Sequence, residues 1–263
     1  MARQKYTYAQ QQCIRSAGKL SQQTEMLSSG ARVGVAVSGG MDSWVLIKAL
    51  KIRQGIVPFS FSLMALHVNP GFAPESHLPM TRWLEEEGIA SHIDVTDHGL
   101  RAHSEENRKD SACFYCAMLR RKRLFELCRD YRLTHLAFGH NADDLVSTFF
   151  MNLFQNGRVE GMSMREPFFG GSLMVIRPLM LLEKSVISKA AKAWDFPVWS
   201  NPCPSAGRTR RSSVMEDLDA VWKNAKGSRT KTVNGLVRWQ LKRHIARLSE
   251  EREGEAPSPL DTL

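Results

Sequence analysis

The sequence predicts an α/β protein: a doubly wound, parallel, five-stranded sheet with helical appendages at both ends. Three observations predict it. Short apolar, β-branched runs alternate with helix-length patterns as far as residue 194, as in a parallel sheet whose strands are joined by crossover helices. A Ser-Gly-Gly-Met-Asp-Ser turn at 38–43 joins one such strand directly to a helix. The chain has 263 residues, 43% of them apolar, enough for one large α/β core with an appendage or for two small domains.

Residues 1–30 read as a polar helical segment rich in Gln and Lys. The first strand is 33–37, Val-Gly-Val-Ala-Val, and a helix follows over 42–54. The second strand, 62–68, ends in the turn Asn69-Pro70-Gly71. A helix over 76–87 and a third strand over 91–95 lead into a charge-rich loop from Asp97 to Asp110. A long helix covers 112–131. The fourth strand, 134–139, feeds a helix that starts at Asp143. The fifth strand, 173–176, is stopped by Arg177-Pro178, since proline has no N–H to give a ladder, and a helix follows over 184–194. The core domain read in this way is 31–205. Residues 206–263 form a basic, helix-compatible extension whose Glu- and Pro-containing tail is expected to be disordered.

Lys and Arg number 36 against 27 Asp and Glu, a net charge of +9. That surplus favours a polyanionic partner without choosing one, and a merely basic soluble protein fits it equally well. No apolar stretch reaches spanning length, and the N-terminus lacks the apolar region of a signal peptide. The expected setting is therefore cytoplasmic, with no membrane. Five cysteines in such a chain argue against a disulfide framework. Cys13 and Cys128 read as incidental, Cys128 as plain core.

Three groups carry chemistry. In the first, Ala36 and Val37 end a strand, Ser38, Gly39 and Gly40 turn, and Asp42 and Ser43 open a helix. Glycines lacking Cβ let phosphate approach the backbone N–H groups, and the helix N-terminus faces the same anion. An acid there makes sense if Asp42 touches Mg²⁺ or the turn itself. No Gly-Lys-Ser/Thr ends the loop, so it is not a Walker A sequence. It resembles the SGGxDS pyrophosphate loop of ATP pyrophosphatases; the plain alternative is a glycine turn in an ordinary α/β unit. Strand ends at His67 and at Gly139-His140 should converge on the same crevice.

In the second group, Cys113 and Cys116 stand at a helix start, where the dipole stabilises thiolates. Cys203 follows far downstream in Asn201-Pro202-Cys203-Pro204. Three thiolates suit three irons of a cubane and leave the fourth iron open. Zinc on three Cys with His98 or His103, and a thiol or persulfide site without metal, are the alternatives. In the third group, Gly139-His140-Asn141-Ala142-Asp143-Asp144, two acids open a helix beside the phosphate loop, which suits Mg²⁺ on ATP. Asp143 could serve simply as the N-cap, and Asp144 is the favoured functional acid.

Taken together, these residues resemble the TtcA family, the tRNA 2-thiocytidine synthetases. The matching text is 38–43, Asn69-Pro70-Gly71-Phe72, Cys113-x-x-Cys116 running into Leu119-Arg120-Arg121, Gly139-His140-x-x-Asp143-Asp144, Ile176-Arg177-Pro178-Leu179 with Glu183-Lys184, and Asn201-Pro202-Cys203. The resemblance implies the adenine nucleotide α-hydrolase (PP-loop, HUP-like) fold and ATP-dependent thiolation of cytidine 32 in tRNA, through adenylation of the base oxygen and attack by sulfide. It implies ATP, Mg²⁺ and a [4Fe-4S] cluster as cofactors, and a cysteine desulfurase or another sulfur donor as partner; a homodimer stays open. Ala36, Val37, Ser38, Gly39, Gly40, Asp42, Ser43, His67, Gly139 and His140 would bind ATP. Asp42 and Asp144 would hold magnesium, and Cys113, Cys116 and Cys203 the cluster. Arg120, Arg121, Lys122, Arg123, Arg177, Arg208, Arg210 and Arg211 would meet RNA, with a solvated helix face as the plain alternative for the basic runs. Two departures stand out: Met41 replaces the family's usual Lys, and Ala206 replaces the second Cys of its downstream pair. Two other readings stay open, a sulfurtransferase for another base or a small molecule and a non-catalytic ATP and cluster sensor.

Overall fold

A computed structural model describes residues 5–108, 111–199, 202–207 and 209–255, the last five by backbone alone. Six strands form one sheet: β1 (Arg32–Ala36), β2 (Ser62–Asn69), β3 (Ala90–Val95), β4 (His135–Ala137), β5 (Arg165–Phe168) and β6 (Leu173–Ile176). Their order is β3-β2-β1-β4-β6-β5, parallel throughout except for β5 against β6. The five expected strands are present. The sixth, Arg-Glu-Pro-Phe, escapes sequence reading because it shows no alternation. An edge position explains how it tolerates Pro167, whose ring takes no place in an interior ladder.

Helix α1 (Tyr8–Gln23) is followed by α2 (Met41–Gln54), α3 (Leu78–Glu86), α4 (His98–Ala102) and α5 (Ala112–Asp130). Then come α6 (Ala142–Asn156), α7 (Lys184–Ala193), α8 (Arg210–Lys223) and α9 (Ser228–Glu255). Among the described residues no helix is long and apolar enough to cross a membrane.

Successive strand residues point to opposite faces, and the core divides accordingly. Val33, Val35, Ala65 and Ala137 face α1, α2, α3 and α7, while Leu66, Val68, Leu136 and Val175 face α5. Helix α1 is part of the main core through Cys13, Ala17 and Leu20. In the extension, Val214, Leu218 and Trp222 of α8 and Val233 of α9 pack on Ala142 and Val146 of α6.

Trp44 locks α2 in place. It is fully buried, stacks on Phe196 at 5.6 Å and meets Trp83 edge-on at 4.9 Å. Trp44→Ala is expected to cost about 3–5 kcal/mol in denaturant unfolding, the range for deleting a buried aromatic. A loss below about 1 kcal/mol would show that the site collapses around the gap.

The phosphate-loop sequence follows β1, and the Gly139-His140 segment follows β4, its neighbour. Crossovers leave the sheet in opposite directions between these two strands, which opens a crevice at their carboxyl ends.

Candidate functional site

The crevice holds a cavity of about 460 Å³. The loop side is Ala36, Val37, Ser38, Asp42 and Ser43, and the β4 side is Gly139, His140 and Asp144. Leu66, Val68, Leu124 and Phe138 supply an apolar wall, and Arg120, Arg121 and Arg177 a cationic one. An apolar slot beside cations and backbone N–H groups suits a nucleotide.

The loop is braced by its own side chains. Ser43 Oγ donates to Gly40 O at 2.8 Å and accepts from Ser38 N at 3.1 Å. Gly39 sits at φ +85°, and a Cβ there would lie 2.1–2.5 Å from the Trp199 ring. Across the crevice, a Cβ on Gly139 would press on the Asp42 backbone at 3.0 Å, so the segment after β4 approaches the start of α2 this closely because Gly139 carries no side chain. Met41 starts α2 and packs against the main core, so an apolar residue at this position leaves the loop intact.

Three acids line up at the mouth, each held by a cation from a different C-terminal helix. Asp42 pairs with Lys184 of α7 and accepts from Asn141 Nδ2 at 3.1 Å. Asp144 pairs with Arg211 of α8 at 2.7 Å. Asp143 pairs with Arg229 of α9 and accepts from Lys184 N at 2.7 Å. The N-cap of α6 is Asn141 and not Asp143: its Oδ1 accepts from Asp143 N at 2.9 Å and Asp144 N at 3.2 Å. Asp144 closes the capping box by accepting from Asn141 N at 3.0 Å. Burial raises the Asp144 carboxyl's pKa, against the pull of Arg211.

Two histidines near the loop are neutral at pH 7. Burial, then Arg177, Arg211 and Arg121, hold His140 down to about 3. Burial holds His67 down to about 4, partly offset by its Nδ1 contact of 2.7 Å with Val37 O. His135 at the far end of β4 is also held down to about 4, chiefly by burial. In the unfolded chain each takes a proton near pH 6.5, so between that pH and about 4 the unfolded state binds more protons. Stability should therefore fall as pH drops below 6.5, approaching about 4 kcal/mol per pH unit for three such groups. Denaturant unfolding at pH 7 and pH 5 checks this; equal stabilities would contradict the buried, neutral assignment.

Cys113 and Cys116 lie in the first turns of α5, whose N-cap Ser111 Oγ accepts from Phe114 N at 3.4 Å. Burial raises the Cys116 thiol's pKa; Arg120 opposes this, and charge on Cys203 and Cys113 adds to it, so the three sulfurs share one neighbourhood. Cys203 Sγ is 3.7 Å from His103 Nε2, which places His103, one of the two histidines offered as a zinc ligand, beside a thiol. Among the described residues, no three His, Cys or acidic side chains converge as tightly as a bound metal would hold them. The donor chemistry fits an iron–sulfur cluster: the Cys116 thiol feels charge from Cys113 and from Cys203, and the buried Arg120 guanidinium beside Cys116, its Nε unpartnered, would balance thiolate charge.

Several placements differ from the sequence reading. His67 does not line the crevice cavity of Ser38 and Asp144; it lines a smaller one beside it. The run 120–123 is not one RNA-facing surface, because a helix turns its residues through all directions. Arg120 points inward, Arg123 pairs with Asp94 and Glu126, and only Arg121 and Lys122 are exposed. Arg177 is buried and donates to Ser163 O, so it faces the cavity instead of solvent. Arg211 is spent on Asp144, Arg210 is exposed, and Arg208 and Asn201 lie outside the described residues. Sequence reasoning assigned no role to Lys184, Arg229 or Trp199. Lys184 was findable as the first residue of the helix after the Arg177-Pro178 stop; nothing local marks the other two.

Residues 10–210 match the PP-loop domain family. The chain is 32% identical over 199 residues to the tRNA-cytidine(32) 2-sulfurtransferase of Geobacter sulfurreducens, covering 74% of this chain and 77% of that one. It is 31% identical over 228 residues to the protein of that name from Pseudomonas putida, covering 85% and 82%. Among solved structures it resembles the U34-tRNA thiolase NcsA from Methanococcus maripaludis with its [4Fe-4S] cluster: TM-score 0.69, 26% identity, 88% of this chain and 80% of that one. The fold alone is shared with the NH3-dependent NAD synthetase of Campylobacter jejuni, at TM-score 0.51 and 15% identity over 96% and 98% of the two chains. Loop, acids and cysteines thus sit within a matched region that spans the whole sheet, and the chain belongs to the PP-loop family and, within it, to the tRNA-cytidine(32) 2-sulfurtransferases, enzymes of the ATP pyrophosphatase type.

Proposed function

We propose that this protein thiolates tRNA, exchanging the C2 oxygen of a cytidine for sulfur, with position 32 of the anticodon loop as the expected site. The observation that carries the reading is that the phosphate loop, Asp42, Asp144 and both cysteine-bearing segments border adjoining cavities at the carboxyl end of the sheet. The relatives' names and the thiolase likeness point the same way.

ATP occupies the larger cavity, with adenine on the apolar wall and phosphates on 38–43. The base oxygen attacks the α-phosphorus and pyrophosphate leaves. The loop N–H groups and the α2 N-terminus stabilise the departing charge. Sulfide adds at the activated carbon, the C–O bond breaks, and the oxygen departs on AMP. Asp42 and Asp144 would hold Mg²⁺, which would offset phosphate charge, and Lys184 and Arg211 are the cations beside these two acids. Cys113, Cys116 and Cys203 would hold a [4Fe-4S] cluster, which would supply a binding place for sulfide. A cysteine desulfurase or another donor provides the sulfur, in the cytoplasm. Arg121 and Lys122 of α5 and Arg210 of α8 are exposed cations, and α9 adds Lys231, Arg238, Lys242, Arg243 and Arg247 for the RNA backbone.

Anaerobic purification, iron and sulfide analysis, and nucleoside analysis of tRNA treated with ATP and sulfide test the reading. The expected result is about four irons per chain and 2-thiocytidine. A thiolated uridine would favour the second reading, thiolation of another base, which the likeness to a U34 thiolase supports. No thionucleoside from any tRNA would overturn both.

A further inference from the structure

A second cavity, of about 250 Å³, lies beside the nucleotide cavity. The pleat of β2 separates the two, with Leu66 lining the first and His67 the second, while Ser38, Val68 and Arg120 border both. Ser38 and Gly40 of the phosphate loop form one side of it. Another side is formed by Pro202, the residue before Cys203, and by Arg120, whose charge acts on Cys116. Thiolation makes a strict geometric demand: the base oxygen must reach the α-phosphate while its carbon reaches the sulfur. Of the two cavities, only this one is walled by the phosphate loop and by both cysteine-bearing segments.

Its polar groups are specific. A carbonyl can only accept, so the 2.7 Å contact with Val37 O puts the His67 proton on Nδ1. Nε2 of the neutral ring is then a bare acceptor, and it is buried without a partner. Such a group is unfavourable unless a ligand brings a donor. Asn69 is already committed, donating to Ala73 O at 3.0 Å and accepting from Gly71 N at 2.9 Å. Trp199, edge-on to His67 at 6.0 Å, and Phe72 supply aromatic surface of the kind on which an unstacked base rests. The Arg120 Nε donor is likewise buried and unpartnered.

Resting on the thiolation reading, we propose that this second cavity is the subsite of the acceptor base, and that His67 Nε2 accepts a hydrogen bond from its exocyclic amino group. Cytosine offers that donor at C4. Uracil would turn an oxygen toward the bare nitrogen, two acceptors face to face. His67 is thus a specificity residue, and Arg120 at the shared wall is placed to meet the oxygen that becomes adenylated.

The test uses the full-length, cluster-loaded protein and anticodon stem–loop RNAs carrying cytidine or pyrimidin-2-one riboside, which lacks the amino group, at the acceptor position. Wild type should prefer cytidine in kcat/KM, and His67→Phe should shrink that preference by about 10- to 100-fold, the worth of one buried hydrogen bond, with ATP affinity unchanged. Comparing the ratio between proteins cancels the bases' intrinsic reactivity. With wild type alone, a 5-iodocytidine at that position, irradiated with a non-hydrolysable ATP analogue, should cross-link to His67, Phe72 or Trp199; this readout needs neither turnover nor a folded variant. Thiolation that proceeds with cross-links elsewhere, or a preference that His67→Phe leaves intact, overturns the subsite alone. Absence of thiolated product from every RNA overturns the thiolation reading and the subsite with it.

Discussion

Cys113→Ala, Cys116→Ala and Cys203→Ala are each expected to reduce thiolation below detection and to lose bound iron, while the fold survives. The three side chains are half-buried and belong to none of the apolar clusters, so their removal opens no cavity in the core. A cubane with only two protein thiolates is poorly held, so the loss is not graded. Cys13→Ala and Cys128→Ala should behave the other way round. Both sulfurs are buried in apolar surroundings that push their thiols up to about 12, so they serve packing and not ligation. Those two variants should melt earlier and keep their iron. Iron and sulfide analysis beside a thermal melt separates the groups. Stoichiometric zinc in anaerobically prepared wild type, with no iron, would overturn the cluster assignment and bring His103 forward as the fourth ligand.

Gly39→Ala is expected to weaken ATP binding by on the order of 10- to 100-fold, and Gly40→Ala far less. A left-handed backbone costs an L-residue about 1–2 kcal/mol. At Gly39 the new methyl group would also overlap the Trp199 ring, so the loop or the ring must move. Gly40 has an ordinary φ of −79°, and its nearest obstacle is Ser38 Oγ at 3.5 Å. Adding Trp199→Ala to Gly39→Ala should restore part of the affinity, the steric part and not the backbone part. Calorimetric titration with ATP reads all four proteins. Equal affinity for wild type and Gly39→Ala would show that phosphate does not bind along this loop.

Much of this arrangement is legible in the chain itself. The five parallel strands could be read because each is a short, mostly apolar run that alternates with a helix-length pattern, and the phosphate loop because its spacing is local. The edge strand Arg165–Phe168 could not, since an edge needs no buried alternation. The same division holds at the site. Asp42, Asp144 and the cysteines announce themselves by local pattern. Their partners Lys184, Arg211 and Arg229 come from 67 to 142 residues away, and no local rule pairs residues that only the packing of α7, α8 and α9 brings together. For the same reason Arg120 and Arg123 look alike in sequence, yet one is sunk beside a thiol and the other is tied to Asp94.

Those three ion pairs mean that the folded chain carries its own counterions. Lys184, Arg229 and Arg211 offset the charges of Asp42, Asp143 and Asp144, which lie close together beside the crevice. A cation that claims Asp42 or Asp144 must first displace a tether from α7 or α8. The tethers' grip and the cation's affinity are then bound by reciprocity: each weakens the other by the same factor. Filling the crevice should loosen the basic C-terminal helices, and an RNA that draws those helices away should leave the acids readier for metal.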